Sequence, residues 1–209
     1  MQTERKEHWE NVYRAKASTE VSWYREHLDV SLGWIRRVAA SRRAAILDIG
    51  GGASTLADDL ISAGFDDVTV LDVAEPALDA AQQRLGADAG KVHWIEADFL
   101  HAPLEPQCYD ICHDRGVFHF LTSGDERAAY FDQVNRILRP EGTLIVTTFA
   151  PDGPSKCSGL EIAQYDEDAM LDVLGGRFTL SACERHNHRT PQGNLQQMMT
   201  FVMRHSMNE

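Results

Sequence analysis

Three carboxylates stand in one recurring setting in the first half of this chain, each at or beside the end of a short apolar run. Asp48 lies in Ala44-Ala45-Ile46-Leu47-Asp48-Ile49, Asp72 closes Val68-Thr69-Val70-Leu71-Asp72, and Asp98 follows Val92-His93-Trp94-Ile95-Glu96-Ala97. The first run passes straight into Gly50-Gly51-Gly52. Consecutive glycines let a backbone turn sharply and let a ligand approach with no Cβ in the way. Asp48, just ahead of that turn, can accept hydrogen bonds from a cationic group or from backbone N–H groups. Asp72 stands at the spacing where a ribose-binding carboxylate belongs. The chemistry on offer is recognition of a nucleotide-like ligand.

The elements needed to position these groups are legible around them. Ser54-Thr55 supplies helix N-caps, and Leu56, Ala57, Leu60 and Ile61 follow at helical spacing up to Gly64. Pro76 fits the first turn of a second helix carrying Leu78, Ala81 and Leu85 inward. Tyr109 to His113 reads as a fourth strand, and Asp125 to Leu138 as a helix with Phe131, Val134 and Leu138 on its buried side. Arg139-Pro140-Glu141-Gly142 is a turn by composition, and Thr143 to Phe149 a β-branched fifth strand. Residues 150–164 read as a long loop, Asp166 to Leu174 as a helix, and Phe178–Cys183 and Gln197–Met203 as closing strands. Strands alternating with helices predict an α/β fold, a doubly wound and mostly parallel sheet with flanking helices, which binds ligands outside the carboxyl ends of its strands. Ahead of it, Trp9, Val12 and Tyr13 share one helical face and read as packing, Trp23 and Tyr24 fall in a loop, and a helix carries Leu32, Ile35 and Val38 inward.

Over roughly residues 44–150 these motifs, in this order, resemble the class I S-adenosylmethionine-dependent methyltransferases. Leu47-Asp48-Ile49-Gly50-Gly51-Gly52 is similar to their glycine-rich first motif, Leu71-Asp72-Val73 to their ribose-binding acid, and Glu96-Ala97-Asp98-Phe99 to the segment facing the adenine amino group. Tyr109-Asp110-Ile111-Cys112-His113-Asp114 resembles the fourth strand, and Leu138-Arg139-Pro140-Glu141-Gly142-Thr143-Leu144 the turn into the fifth. One departure is Ala53-Ser54, where many members carry another glycine. The resemblance implies S-adenosyl-L-methionine as cofactor, with Gly50, Gly51 and Gly52 along its methionine end and Asp48 near its ammonium. It implies Asp72 and Val73 at the ribose, Asp98 at the adenine amino group, Phe99 on the ring, and Asp114 beside the cofactor. It further implies that residues 1–40 form a helical lid, with Trp23 and Tyr24 over the cofactor, on a methyltransferase domain spanning 41–209. The last strand is then expected antiparallel between the fifth and sixth.

Methyl transfer from a sulfonium is a direct displacement, for which the protein supplies in-line positioning and a dry pocket. A base is needed only where the acceptor must lose a proton. Cofactor residues are therefore legible and catalytic ones are not; the candidates are Asp114, His119 and Cys157. His119 reads as a base or as a polar residue at a helix start, and Asp114-Arg115 as a catalytic or merely structural pair. Cys157 reads as an incidental loop cysteine or as an exposed thiol whose neighbour Lys156 can favour thiolate, suiting a soft metalloid or thiol-type acceptor. His186 and His188 fall in a polar segment and read as surface residues.

Composition narrows the partner. A formal net charge of −12 argues against nucleic acid and against an anionic membrane surface. The fourth strand also runs into His113-Asp114-Arg115 rather than the Asn/Asp-Pro-Pro-Tyr pattern that holds a planar exocyclic amine. Thr55 and the lack of Tyr-x-x-x-Lys weigh against an NAD-binding dehydrogenase. The four cysteines read as free thiols, and Cys108, Cys112 and His113 lack the second pair that a zinc site needs. No signal-peptide core or long apolar run is present, so the expected location is cytoplasmic. The expected acceptor is a small molecule; a protein lysine, or a non-catalytic cofactor-binding sensor, are the alternatives.

Overall fold

The structure, a computed structural model, describes residues 2–205. Two helices, α1 (Gln2–Ala15) and α2 (Asp29–Val38), precede an alternating core of β1 (Ile46–Ile49), α3 (Leu56–Ser62), β2 (Val68–Asp72), α4 (Glu75–Leu85), β3 (Val92–Glu96), β4 (Tyr109–Arg115), α5 (Gly124–Ile137) and β5 (Leu138–Phe149). A short hairpin of β6 (Lys156–Cys157) and β7 (Leu160–Glu161), then α6 (Glu167–Leu174), β8 (Phe178–Arg189) and β9 (Leu195–His205), complete it. The main sheet has seven strands in the order β3-β2-β1-β4-β5-β9-β8. β1 to β5 run parallel, and β9 lies antiparallel between β5 and β8. This is the class I methyltransferase topology, with the last strand where the resemblance placed it.

Helices cover both faces, so the central strands are buried on both sides and are continuously apolar rather than alternating. Every residue of β1 is buried. Leu47 and Ile49 point into one core with Phe118, Tyr130 and Phe131, whereas Ile46 points into the other with Leu56, Leu60 and Ile35. β1 pairs with β2 on one side and β4 on the other, so the chain order reverses there and a crevice opens beyond the strand ends. Among the described residues no helix is long and apolar enough to cross a membrane.

Several local details differ from the sequence expectation. Thr55 does not cap α3 with its side chain; its hydroxyl donates to the Arg25 carbonyl at 2.9 Å and ties the N-terminal segment down. β5 starts five residues early, at Leu138, because Glu141 adopts φ +62° and carries the turn inside the strand run. Residues 150–164 are not structureless: Ser158 and Gly159, both at positive φ, turn the β6–β7 hairpin. β8 runs on through the expected polar loop as far as Arg189.

The first 40 residues share the main core. Leu28 and Ile35 are buried in it, and the Trp34 indole donates to Glu184 at 2.7 Å. α1 lies on α4, with Trp9 and Tyr13 packed against Ala53, Ala74 and Ala77.

Candidate active site

The carboxyl ends of β1, β2 and β4 open into a pocket of about 1250 Å³, its open mouth included. Its floor is the glycine turn. Gly50 adopts φ +65° and Gly52 φ +47°, a region that costs side-chain-bearing residues strain. The space a Cβ would need is also taken: at Gly50 by Val117, at Gly51 by the Asp48 carboxylate, and at Gly52 by Asp72 Oδ2 and the Tyr13 hydroxyl. The turn needs glycine for its own packing before any ligand arrives. Gly50 and Gly51 line the pocket; Gly52 lies behind them, between Asp72 and Tyr13.

Four acids end up near this floor, in different settings. Asp48 Oδ1 lies 2.7 Å from His113 Nδ1, and His113 Nε2 lies 2.9 Å from the Ser31 hydroxyl, all three side chains being buried. Asp72 accepts from the Ala74 N–H at 2.8 Å, and burial pushes its carboxyl up to about 7. Asp98 caps the short 3-10 turn Phe99–His101 by accepting from the Leu100 N–H at 3.1 Å, and Phe99 packs on Tyr130 at 5.2 Å. Asp48, Asp72, Val73, Asp98 and Phe99 all line the pocket.

Asp114 does not. It is fully buried, and its carboxylate accepts from the Val117 and Phe118 N–H groups and from the Tyr130 hydroxyl at 2.8–3.0 Å. Its side chain holds the bend after β4 and is turned away from the pocket, which removes it from the candidate catalytic and cofactor-binding residues.

Aromatic rings from the N-terminal segment roof the pocket. Trp9 meets Trp23 edge-on at 5.8 Å and Phe120 at 5.1 Å, and Tyr13 meets Trp23 at 6.1 Å. Trp23 was anticipated there; Tyr24 is not part of the wall among the described residues. Trp9 and Tyr13, anticipated as packing, do line it. Their signal in the sequence is one helical turn of separation between two large amphipathic rings, which a packing role explains equally well.

The far end of the pocket is built by β4, β8 and the hairpin. Arg115, the last residue of β4, donates to the Trp23 carbonyl at 3.0 Å and lies 3.3 Å from His188 Nδ1. The His188 Nε2–H donates to the Ser22 carbonyl at 2.6 Å, which leaves Nδ1 as the acceptor for Arg115. His188 is thus a buried strand residue and not a surface one; burial pushes it down to about 4. His119 lies stacked on Phe149 at 5.1 Å, and burial, with the Arg115 charge, pushes it down to about 3. Neither of its buried ring nitrogens has a partner within the protein. Cys157 reaches the pocket, but burial raises its thiol to about 11 and Lys156 pairs with Glu161 at 2.6 Å instead of favouring thiolate. The exposed-thiolate expectation is overturned. Cys157 is a neutral wall residue.

The arrangement fits S-adenosylmethionine. A turn with no room for side chains adjoins a buried carboxylate at ribose spacing, and a second acid and a ring lie beyond it. A pH dependence follows from Asp72. With Asp72 as the ribose acceptor that the resemblance implies, the hydroxyls would donate to the charged carboxylate, and the bound form would titrate lower than the free form at about 7. Binding then releases a proton, and affinity should fall as pH drops below about 7, by up to roughly tenfold per unit, while staying flat above. His119 and His188 titrate well below this window. Calorimetry from pH 5.5 to 8.5 checks both slope and plateau.

Comparison with known proteins agrees with this geometry. Residues 46–142 match the family described as a methyltransferase domain. The EEF1A lysine methyltransferase 2 of Danio rerio is 27% identical over 157 residues, covering 68% of this chain; the chain spans about two thirds (67%) of that relative's length. Among solved structures, one from work on the conversion of a disulfide bond into a thioacetal group during echinomycin biosynthesis superimposes with a TM-score of 0.79 at 19% identity, covering 98% of this chain and 94% of the other. The 1,6-didemethyltoxoflavin-N1-methyltransferase of Burkholderia thailandensis, with 1,6-didemethyltoxoflavin and S-adenosylhomocysteine bound, superimposes with a TM-score of 0.70 at 20% identity, covering 98% and 85%. At these identities the structural likeness speaks to fold alone, and it extends through the N-terminal helices.

Proposed function

We propose that this chain, an S-adenosylmethionine-dependent methyltransferase of class I fold, methylates a small molecule enclosed beneath its N-terminal segment. The observation that carries the reading is the roof. Trp9, Trp23 and Phe120 close over the pocket in edge contact, and the Ser22–Trp23 backbone is tied to β8 and β4 through His188 and Arg115. A polymer's side chain would have to enter through that aromatic layer. The pocket runs from the acids at the ends of β2 and β3 to Arg115 and His119, so a cofactor at one end leaves the other end for an acceptor.

In this account the residues divide by end. Gly50, Gly51 and Asp48 receive the amino-acid portion of the cofactor, Asp72 and Val73 the ribose, and Asp98 and Phe99 the adenine. Residues 1–40 act as a lid on the 41–209 methyltransferase domain, with Trp9, Tyr13 and Trp23 as its inner surface. The bound cofactor supplies an activated methyl group. The chain's own part is to orient the acceptor against it, exclude water, and hold both in one line.

A protein lysine acceptor is the second reading, and the name of the Danio rerio relative favours it. The test uses purified protein and methyl-labelled S-adenosylmethionine, offered either the dialysable fraction of a cell extract or the dialysed protein fraction. Label in extractable small molecules is the expected outcome. Label confined to one protein band would move the reading to lysine, and no transfer despite cofactor binding would make the chain a sensor.

A further inference from the structure

We infer that the acceptor is a small organic anion, a carboxylate or a thiolate, which Arg115 attracts and the His119 imidazole orients as a hydrogen-bond donor. This inference deepens, and rests on, the small-molecule reading above.

Charge at the two ends of the pocket is segregated. The carboxylates of Asp72 and Asp98 lie at the ends of β2 and β3, toward the expected nucleoside, and Asp48 is engaged by His113. The opposite end holds the Arg115 guanidinium. Among the described residues no carboxylate comes within 4.0 Å of it; its contacts are the Trp23 carbonyl and His188 Nδ1. A half-buried guanidinium carries five donors, and this one keeps several unspent beside a cavity. Asp48 acts on this half-buried cation only from beyond contact distance, so its desolvation is incompletely offset, and an anion in the pocket relieves that cost.

His119 provides a second, independent sign. It is 2% exposed, stacks on Phe149 and lies against Phe120 at 4.4 Å, yet neither ring nitrogen has a partner. Buried polar atoms are nearly always satisfied, and an orphan lining a pocket marks where a ligand supplies the missing partner. A neutral imidazole carries one N–H to give an anion. Because burial and Arg115 hold it near 3, it does not take up a proton at neutral pH. An alcohol or an ammonium would have to lose a proton, and this end of the pocket has no group to receive it. Arg115 would also repel the ammonium. An anion meets neither obstacle.

The reaction balances without a base. A lone pair on the carboxylate oxygen or thiolate sulfur forms the new bond to the methyl carbon. The sulfonium S–C bond breaks with its pair on sulfur, leaving an ester or thioether and a neutral thioether, and no proton moves. An anion and a cation become two neutral products, and a dry apolar pocket favours such charge cancellation over the separated ions.

The test is calorimetry on the protein saturated with S-adenosylhomocysteine, so that no turnover is needed. The probes are aryl carboxylates and aryl thiols, each beside the amine and alcohol of the same skeleton, such as benzoate against benzylamine and benzyl alcohol. At least one anion should bind tenfold or more tighter than its matched amine. Arg115→Gln should abolish that preference, Arg115→Lys should keep part of it, and His119→Phe should weaken the anion several-fold. Any loss of S-adenosylhomocysteine affinity in Arg115→Gln, from freeing the Trp23 carbonyl, should be smaller than the loss for the anion. Amines binding as tightly as anions, or no anion binding at millimolar concentration, would overturn the inference. So would a loss of S-adenosylhomocysteine affinity in Arg115→Gln equal to the loss for the anion, since Arg115 would then serve the cofactor's own carboxylate. Transfer of label to small amines sinks this inference alone, whereas transfer only to protein sinks the small-molecule reading.

Discussion

Replacing Gly50 by Val is expected to eliminate measurable S-adenosylmethionine binding and to lower the melting temperature of the chain. Gly50 sits at φ +65°, where a β-branched side chain is strained, and its Cβ would overlap the Val117 side chain. The backbone strain costs about 1–3 kcal/mol and the overlap a similar amount, so the turn should move rather than accept both. Val117 donates its N–H to Asp114, so a displaced Val117 disturbs the bend that presents Arg115 and His119. Cofactor and acceptor ends are lost together. Thermal melts with and without S-adenosylhomocysteine check this: the variant should melt lower and gain nothing from the ligand. A variant stabilised by the ligand as wild type is would remove the glycine turn from the site.

Asp72→Asn should weaken S-adenosylmethionine binding by about 2 kcal/mol or more, a loss of roughly thirtyfold, because two ribose hydroxyls lose a charged acceptor. Asn is chosen over Ala because its carbonyl can still accept from the Ala74 N–H, so the turn into α4 stays intact. Stability should move the other way. In the folded chain Asp72 titrates at about 7, above the ordinary carboxylate value near 3.9, so the folded state holds its proton more tightly than the unfolded state does. Its contribution therefore declines as pH rises from about 4 through 7. The neutral Asn variant should be at least as stable as wild type at pH 8 while binding cofactor poorly, and its affinity should lose the pH slope below 7. An Asn variant that binds with wild-type affinity, or that keeps the slope, would place the ribose elsewhere. Titration calorimetry and melts at pH 6 and pH 8 decide it.

That Asp48, Asp72, Asp98 and the glycine turn gather at one pocket was readable in the sequence because the pattern is largely local. Asp72 and Asp98 are set by the strand before them and the turn that follows, each accepting from an N–H two residues on; Asp48 has its place from β1 but also takes a distant partner, His113. The strand order came from the resemblance instead, since apolar strands separated by helical spacing give the α/β class but not which strands pair. The acceptor end was not readable, because it is assembled from four regions far apart in the chain. Arg115 meets Trp23 across 92 residues and His188 across 73, and His188 meets Ser22 across 166. In the sequence Arg115 looked like half of an ion pair with Asp114. The two side chains leave a strand on opposite faces, and Asp114 spends its oxygens on Val117, Phe118 and Tyr130. Cys157 misled for the same reason: its neighbour Lys156 pairs with Glu161, leaving the half-buried thiol with its proton held above the ordinary thiol range. His188 misled because β8 outlasts its apolar residues and continues as strand through a polar stretch. Adjacency in sequence decides little about electrostatics in extended chain.

The structure of the chain bound to S-adenosylhomocysteine is the most direct measurement of the account. It should show both ribose hydroxyls on Asp72, the adenine beside Phe99 with its amino group toward Asp98, and the sulfur facing the end of the pocket where Arg115 and His119 lie free for an acceptor. A ligand whose ribose does not reach Asp72, or whose carboxylate sits on the Arg115 guanidinium, would contradict it.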